Sequence, residues 1–148
     1  MRRFTLCVLL FSFSIVACNR KKTDESSAKL ASFKGFPPGV EGCSCYFSST
    51  DKDFRTDNYI FVSDLDSTAW ISVNGKQVRL KLISSTKPAD IIEQDYQDTY
   101  SDGLYTLMIT VHYKEHTGDE VWLNTGIMKL FFKEVEVDTR QFIGECGC

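Results

Sequence analysis

The most definite chemistry in this chain belongs to four cysteines in two Cys-x-Cys pairs. Cys43 and Cys45 open a run of strand-like segments, and Cys146 and Cys148 end it. Residues two apart on a strand share a face, so each pair aims both sulfurs the same way. In a closed barrel the first and last strands are neighbours, and antiparallel pairing then sets Cys43 against Cys148 and Cys45 against Cys146. Four cysteines allow three connectivities. A bond within one Cys-x-Cys closes a very small, strained ring, so the two cross-chain connectivities are preferred. Closing a loop of about 100 residues contributes on the order of 4.7 kcal/mol in the chain-entropy model; a second bridge adds much less, because the ends are already joined. The same residues, as thiolates, also fit a Zn²⁺ or Cu(I) site or a redox-active dithiol. One intervening residue is fewer than the roughly two to four usual in structural zinc pairs.

Other constellations carry less. His112-Tyr113-Lys114-Glu115-His116 matches the inverted zinc-protease pattern H-x-x-E-H. That chemistry needs a helix, where i and i+4 meet. Here His112 ends a strand pattern and Thr117-Gly118 follows, and on a strand the two rings stand about 13 Å apart. Asp64, Asp66, Asp90, Glu93, Asp95, Asp98 and Asp102 lack the EF-hand spacing for Ca²⁺ and read as solvated acids. Neither a nucleophile elbow, a P-loop nor a dinucleotide fingerprint is present. Trp70 reads as a rim-packed side chain or, beside Ser72, an outward binding aromatic. The expectation is a non-enzymatic domain with no catalytic residues and no cofactor.

The elements that position these residues are strands. Asn58 to Val62 is a short β-branched and aromatic run, and Asp64-Leu65-Asp66-Ser67 is turn chemistry. Ala69, Ile71 and Val73 alternate with Trp70 and Ser72; Asn74-Gly75 marks a two-residue hairpin; Val78, Leu80 and Leu82 alternate with Gln77, Arg79 and Lys81. Leu104 to Tyr113 is a longer strand with Tyr105, Leu107, Ile109, Val111 and Tyr113 on one face. Strand patterns recur at Ile127 to Lys133, Val135 to Val137 and Gln141 to Cys148. Pro88 to Asp98 is the exception, with the composition of a short helix or a loop. Short strands spaced by turns imply an all-β fold, a small antiparallel β-barrel or sandwich with one irregular or short helical insertion.

The N-terminus is of a different kind. Arg2 and Arg3 precede 14 residues, Phe4 to Ala17, that are mostly apolar. A helix of that length reaches about 21 Å, short of the roughly 30 Å of a bilayer core. A basic start, a short apolar run and a small residue at the cut are the marks of a cleaved export signal. Ile15-Val16-Ala17-Cys18 resembles the lipobox of bacterial lipoproteins. The resemblance implies that residues 1–17 are a lipoprotein signal peptide, that Cys7 is removed with it, and that Cys18 carries a covalent lipid. Two or more acyl chains hold a protein stably on a membrane. Asn19, where aspartate would retain an enteric lipoprotein on the inner membrane, implies the outer membrane of the cell envelope.

Residues 18–40 read as a lipid-anchored flexible tether: Asn19 to Leu30 is mostly polar, without apolar period, and Pro37-Pro38-Gly39 ends it in a turn. Residues 41–148 form the β-domain, with 18 acidic and 10 basic residues, a net of −8 against −3 for the whole chain. That balance argues against nucleic acid and suits a cationic envelope or host protein, or solubility alone. The exported compartment favours disulfides. A lipid-anchored acidic β-domain of this size is also similar, in layout, to the membrane-bound inhibitors of c-type lysozyme, which are small antiparallel barrels. The functional expectation is a lipid-anchored envelope lipoprotein with a binding or structural domain. The alternatives are a thiol-based metal or redox protein and a lysozyme-inhibitor-like protein. Cys18→Ser is expected to abolish acyl labelling and to release the chain from the detergent-soluble membrane fraction; membrane retention at unchanged mass would instead indicate an uncleaved helix.

Overall fold

The computed structural model describes residues 27–88 and 93–148. Residues 1–26, with the signal, Cys18 and the first part of the tether, lie outside the described residues, as does Asp90. In chain order the elements are β1 (Leu30–Ala31), β2 (Phe33–Lys34), β3 (Ser44–Ser48), α1 (Asp51–Arg55), β4 (Asn58–Tyr59), β5 (Phe61–Ser63), β6 (Thr68–Val73), β7 (Lys76–Ser85), β8 (Tyr96–Ser101), β9 (Tyr105–Gly118), β10 (Val121–Phe132) and β11 (Val135–Gly147).

Eight strands form a closed antiparallel ring in the order β6-β5-β3-β11-β10-β9-β8-β7, and β7 returns to β6. The all-β barrel expected from strand alternation is therefore the fold, closed rather than opened into a sandwich. The β6–β7 hairpin turns at Asn74-Gly75, with φ of 50° and 80°, the positive values that a two-residue turn matching strand twist requires. The predicted inner faces are the observed ones: Ala69, Ile71 and Val73 of β6, Leu80 of β7, and Leu107, Ile109 and Val111 of β9 are buried in one core. Across the barrel runs a chain of rings, Phe142 to Phe47 at 4.3 Å, Phe47 to Phe61 at 5.3 Å and Phe61 to Tyr100 at 5.5 Å. Gly126 makes room for it, because a Cβ there would meet Phe142 Cζ at 2.7 Å and collide with the Thr110 carbonyl.

The short helix lies elsewhere than expected. The segment Pro88 to Asp98 loses residues 89–92 to the undescribed part, and its end is strand, since β8 begins at Tyr96. The helix is α1. Thr50 caps it: its Oγ1 accepts the Asp53 N–H at 3.1 Å and donates to Asp53 Oδ2 at 2.6 Å. This is a side-chain N-cap, with threonine at the N-cap and acidic residues in the first turn legible in Thr50-Asp51-Lys52-Asp53.

The tether expected over 18–40 is corrected from residue 27 onward. The chain bends at Ile60, between β4 and β5, and β4 leaves the barrel wall. Phe61 pairs Ile71 of β6, but the ladder position beside Val73 is filled by Leu30 of β1. A few residues on, β2 pairs β4, Phe33 to Tyr59. The N-terminal segment thus mends a gap that the bend opens. Ala28 (2% exposed) and Leu30 (5%) belong to the core. Asp138, 9% exposed, holds them: Oδ2 accepts the Leu30 N–H at 2.9 Å and Arg140 Nε at 3.0 Å, and Lys29 Nζ lies 3.6 Å from Oδ1. A buried carboxylate needs such partners. Strands two residues long are too short to show a period, which is why the sequence reads as tether there. Leu30→Ala should lower unfolding free energy by about 2–5 kcal/mol, measured by urea denaturation; a loss within about 0.5 kcal/mol, as at ordinary surface sites, would return residue 30 to the tether.

Candidate ligand site at the barrel mouth

β1 and the Asn74-Gly75 turn close one end of the barrel. At the other end lies a partly open cavity of about 160 Å³. Side chains two apart on β8 face into the barrel, bringing Tyr96, Asp98 and Tyr100 to its wall. β7 carries a bulge between Leu82 and Ser84, after which Ser85 stands opposite Asp98. The extra residue changes which side chains face inward, so Leu82 and Ser85 both reach the cavity. Cys45 and Phe47 of β3, Phe61 and Ser63 of β5, and Ile109 and Val111 of β9 complete the wall, with Leu65, Asp66 and Lys87 at the rim. The Leu65-Asp66 turn is fixed by Asp64, whose Oδ1 accepts the N–H groups of Asp66 and Ser67 at 3.0 Å and Thr68 at 2.9 Å. Against the cost of burial, these bonds hold the Asp64 carboxyl below its ordinary range.

Asp98 is the charged centre of the cavity. Its Oδ2 accepts the Tyr100 hydroxyl at 3.3 Å, while Oδ1 is buried with no hydrogen-bond partner. Burial pushes the Asp98 carboxyl up, and Ser85, Tyr100 and Lys87 only partly offset this. Burial, and then the neighbouring Asp98, raise both Tyr96 and Tyr100, so both phenols stay protonated. Lys87 Nζ lies 5.2 Å from the centre of the Tyr96 ring. The Tyr96 hydroxyl sits 3.9 Å from the sulfur of Cys146, so the inner disulfide borders the cavity.

Both disulfides join the chain's ends as the antiparallel argument requires: Cys43 with Cys148 and Cys45 with Cys146, with Cα separations of 3.9 and 4.0 Å. β3 lies beside β11, and Cys45 stands opposite Cys146. Bonded in pairs, the sulfurs of Cys43, Cys45, Cys146 and Cys148 are not free thiolates in this state. Among the described residues no group of three or more His, Cys, Asp or Glu side chains is placed to hold a metal ion. His112 and His116 both lie on β9 and face separate partners, Asp95 at 2.7 Å and Glu93 at 3.8 Å. The His112 hydrogen bond holds Asp95 below the usual carboxylate range. The Asp102 carboxylate accepts the N–H groups of Leu104 and Tyr105 at the β8–β9 turn. Trp70 lies on the face of β6 opposite the core residues, yet is only 8% exposed, with the Arg79 guanidinium 5.4 Å from its ring. The His116 ring stands 5.2 Å from that of Trp122.

The sequence reading placed Asp98 among solvated acids and passed over Tyr96, Tyr100, Ser63 and Lys87. The available signal was the alternation Tyr96, Asp98, Tyr100, strand-like in period but with a carboxylate at its centre. Comparison with family models, with curated proteins and with solved structures finds no match.

A carboxyl whose folded pKa is raised binds its proton more tightly in the folded state. Its contribution to stability is therefore complete below the unfolded value, about 3.9, and is lost as pH rises through the raised folded value. Asp98→Asn removes the buried charge. The variant should melt higher than wild type at pH 7.5, with the difference shrinking toward pH 3.5, followed by thermal denaturation across that range. A variant that melts lower at pH 7.5 would mean that the carboxylate is a net stabiliser.

Proposed function

We propose that this chain is a lipid-anchored envelope protein whose barrel binds a small ligand in its mouth, a binding module rather than an enzyme. The observation that carries the reading is the cavity of about 160 Å³ into which a buried, unpartnered carboxylate oxygen is set. An eight-stranded barrel has an interior that side chains just fill or that holds one small ligand. Ligand pockets are mostly apolar with a few placed polar groups. Phe61, Leu82, Ile109 and Val111 supply the first, and Asp98, Tyr100 and Ser63 the second. The anchor is the lipid on Cys18 implied by the lipobox. The acidic balance of residues 41–148 supports a cationic partner for the outer surface as well.

Ser85 is exposed at the mouth, and Ser85→Trp fills the opening. Native mass spectrometry of the chain gently extracted from bacterial envelope should show a small-molecule adduct on wild type and none on the filled variant. Identical spectra without an adduct, together with identical melting of the two proteins against a panel of small metabolites, would reject the binding reading.

A further inference from the structure

We propose that the mouth of the barrel recognises a small organic cation, an ammonium group on a compact apolar body. The inference deepens the binding reading above and rests on it. Three features of the mouth select this class. The first is the vacant acceptor: Asp98 Oδ1 is buried without a donor, although Oδ2 has the Tyr100 hydroxyl. An unmet acceptor in the wall of a cavity is costly and is satisfied by a ligand that brings an N–H. The second is the chain's own cation. The Lys87 ammonium rests over the face of Tyr96 and its charge acts on Asp98, so the mouth already offers an aromatic face and a carboxylate to one positive group. Lys87 is exposed and its stem is flexible, so it can withdraw into water when another cation arrives. The third is the charge at the mouth: Asp66 and Asp98 face a single cation, Lys87. An anion would meet two carboxylates there.

The cavity also limits the rest of the ligand. Its 160 Å³ is close to the roughly 150 Å³ apolar cavity that holds benzene. The inner disulfide, Phe61, Ile109 and Val111 form walls without charge. An aromatic or short aliphatic body of about benzene's size fits behind the ammonium, and a long chain does not.

Benzylamine is the probe, with benzyl alcohol as its neutral counterpart, each titrated calorimetrically into the full chain in detergent at pH 7.5 and low salt. Benzylamine should bind about tenfold or more tightly than benzyl alcohol, the range of a hydrogen bond to a charged group. Asp98→Asn should erase that preference while leaving benzyl alcohol unchanged. Lys87→Ala should strengthen benzylamine binding several-fold by removing the internal competitor. Equal binding of both compounds to wild type would overturn the cation inference and leave the binding reading standing. Binding of neither would reject both. Weaker benzylamine binding to Lys87→Ala would also overturn the inference, since the lysine would then help to hold the ligand.

Discussion

The ladder between β3 and β11 is the seam on which the barrel depends. It joins segments about a hundred residues apart in the chain, with disulfide separations of 105 and 101 residues. Contacts so distant carry a loop-closure cost before they return any stability. β3 has only five residues to offset it. Two covalent bonds at one end of the seam and ring packing of Phe47 on Phe142 at the other make the short ladder sufficient. Outside the barrel, Glu145 ties the same seam sideways: its carboxylate accepts the Tyr46 hydroxyl at 2.8 Å and the Thr117 hydroxyl at 2.9 Å. Tyr46 and Tyr59 in turn pack against Phe36, and burial, with Asp57 beside it, pushes the Tyr59 hydroxyl up to about 12. An unclosed seam would leave the edges of β3 and β11 open to pair with other chains.

Much of this was legible in the residues, for identifiable reasons. Strict alternation with one apolar face, as in Ala69 to Val73 and Leu107 to Val111, has one physical reading. The matched Cys-x-Cys pairs carried long-range information that periodicity lacks, and they fixed which strands meet. What stayed hidden was every feature that depends on an exception to the period. The bulge in β7 turns Ser85 inward, where uninterrupted alternation sends it out. The bend at Ile60 creates a vacancy in the ladder, and only the vacancy explains why two residues at Leu30 count as a strand. An inward carboxylate at Asp98 interrupts the apolar face of β8 and makes a wall strand read as a polar insertion.

Asp98 and Asp138 show how differently the same buried group can be treated at the two ends of one barrel. At the closed end, Asp138 has an N–H donor, Arg140 and Lys29 around it, and the Leu30 and Lys29 contacts join the N-terminal segment to the wall. At the open end, Asp98 keeps one oxygen without a donor. The first arrangement is what structural stability alone requires. The second opposes it.

The covalent bonds and the entry of the chain lie at opposite ends of the barrel, which gives the fold a direction under mechanical load. A pull on the chain ahead of Ser27 enters through β1, where two ladder positions, the Asp138 contacts and the hydrogen bonds of Lys29 to Asn74 and Val137 carry it. Among the described residues no cross-link protects that end, whereas the wall behind it is bonded at Cys43 and Cys45. Detachment of β1 and then β2 pays out slack until the force reaches Cys43, whose bond to Cys148 halts the peeling. About 16 residues are released by then, roughly 55 Å of extended chain. The wall from β3 onward and the mouth remain behind that stop, so the first segments act as an extensible fuse that spares the cavity.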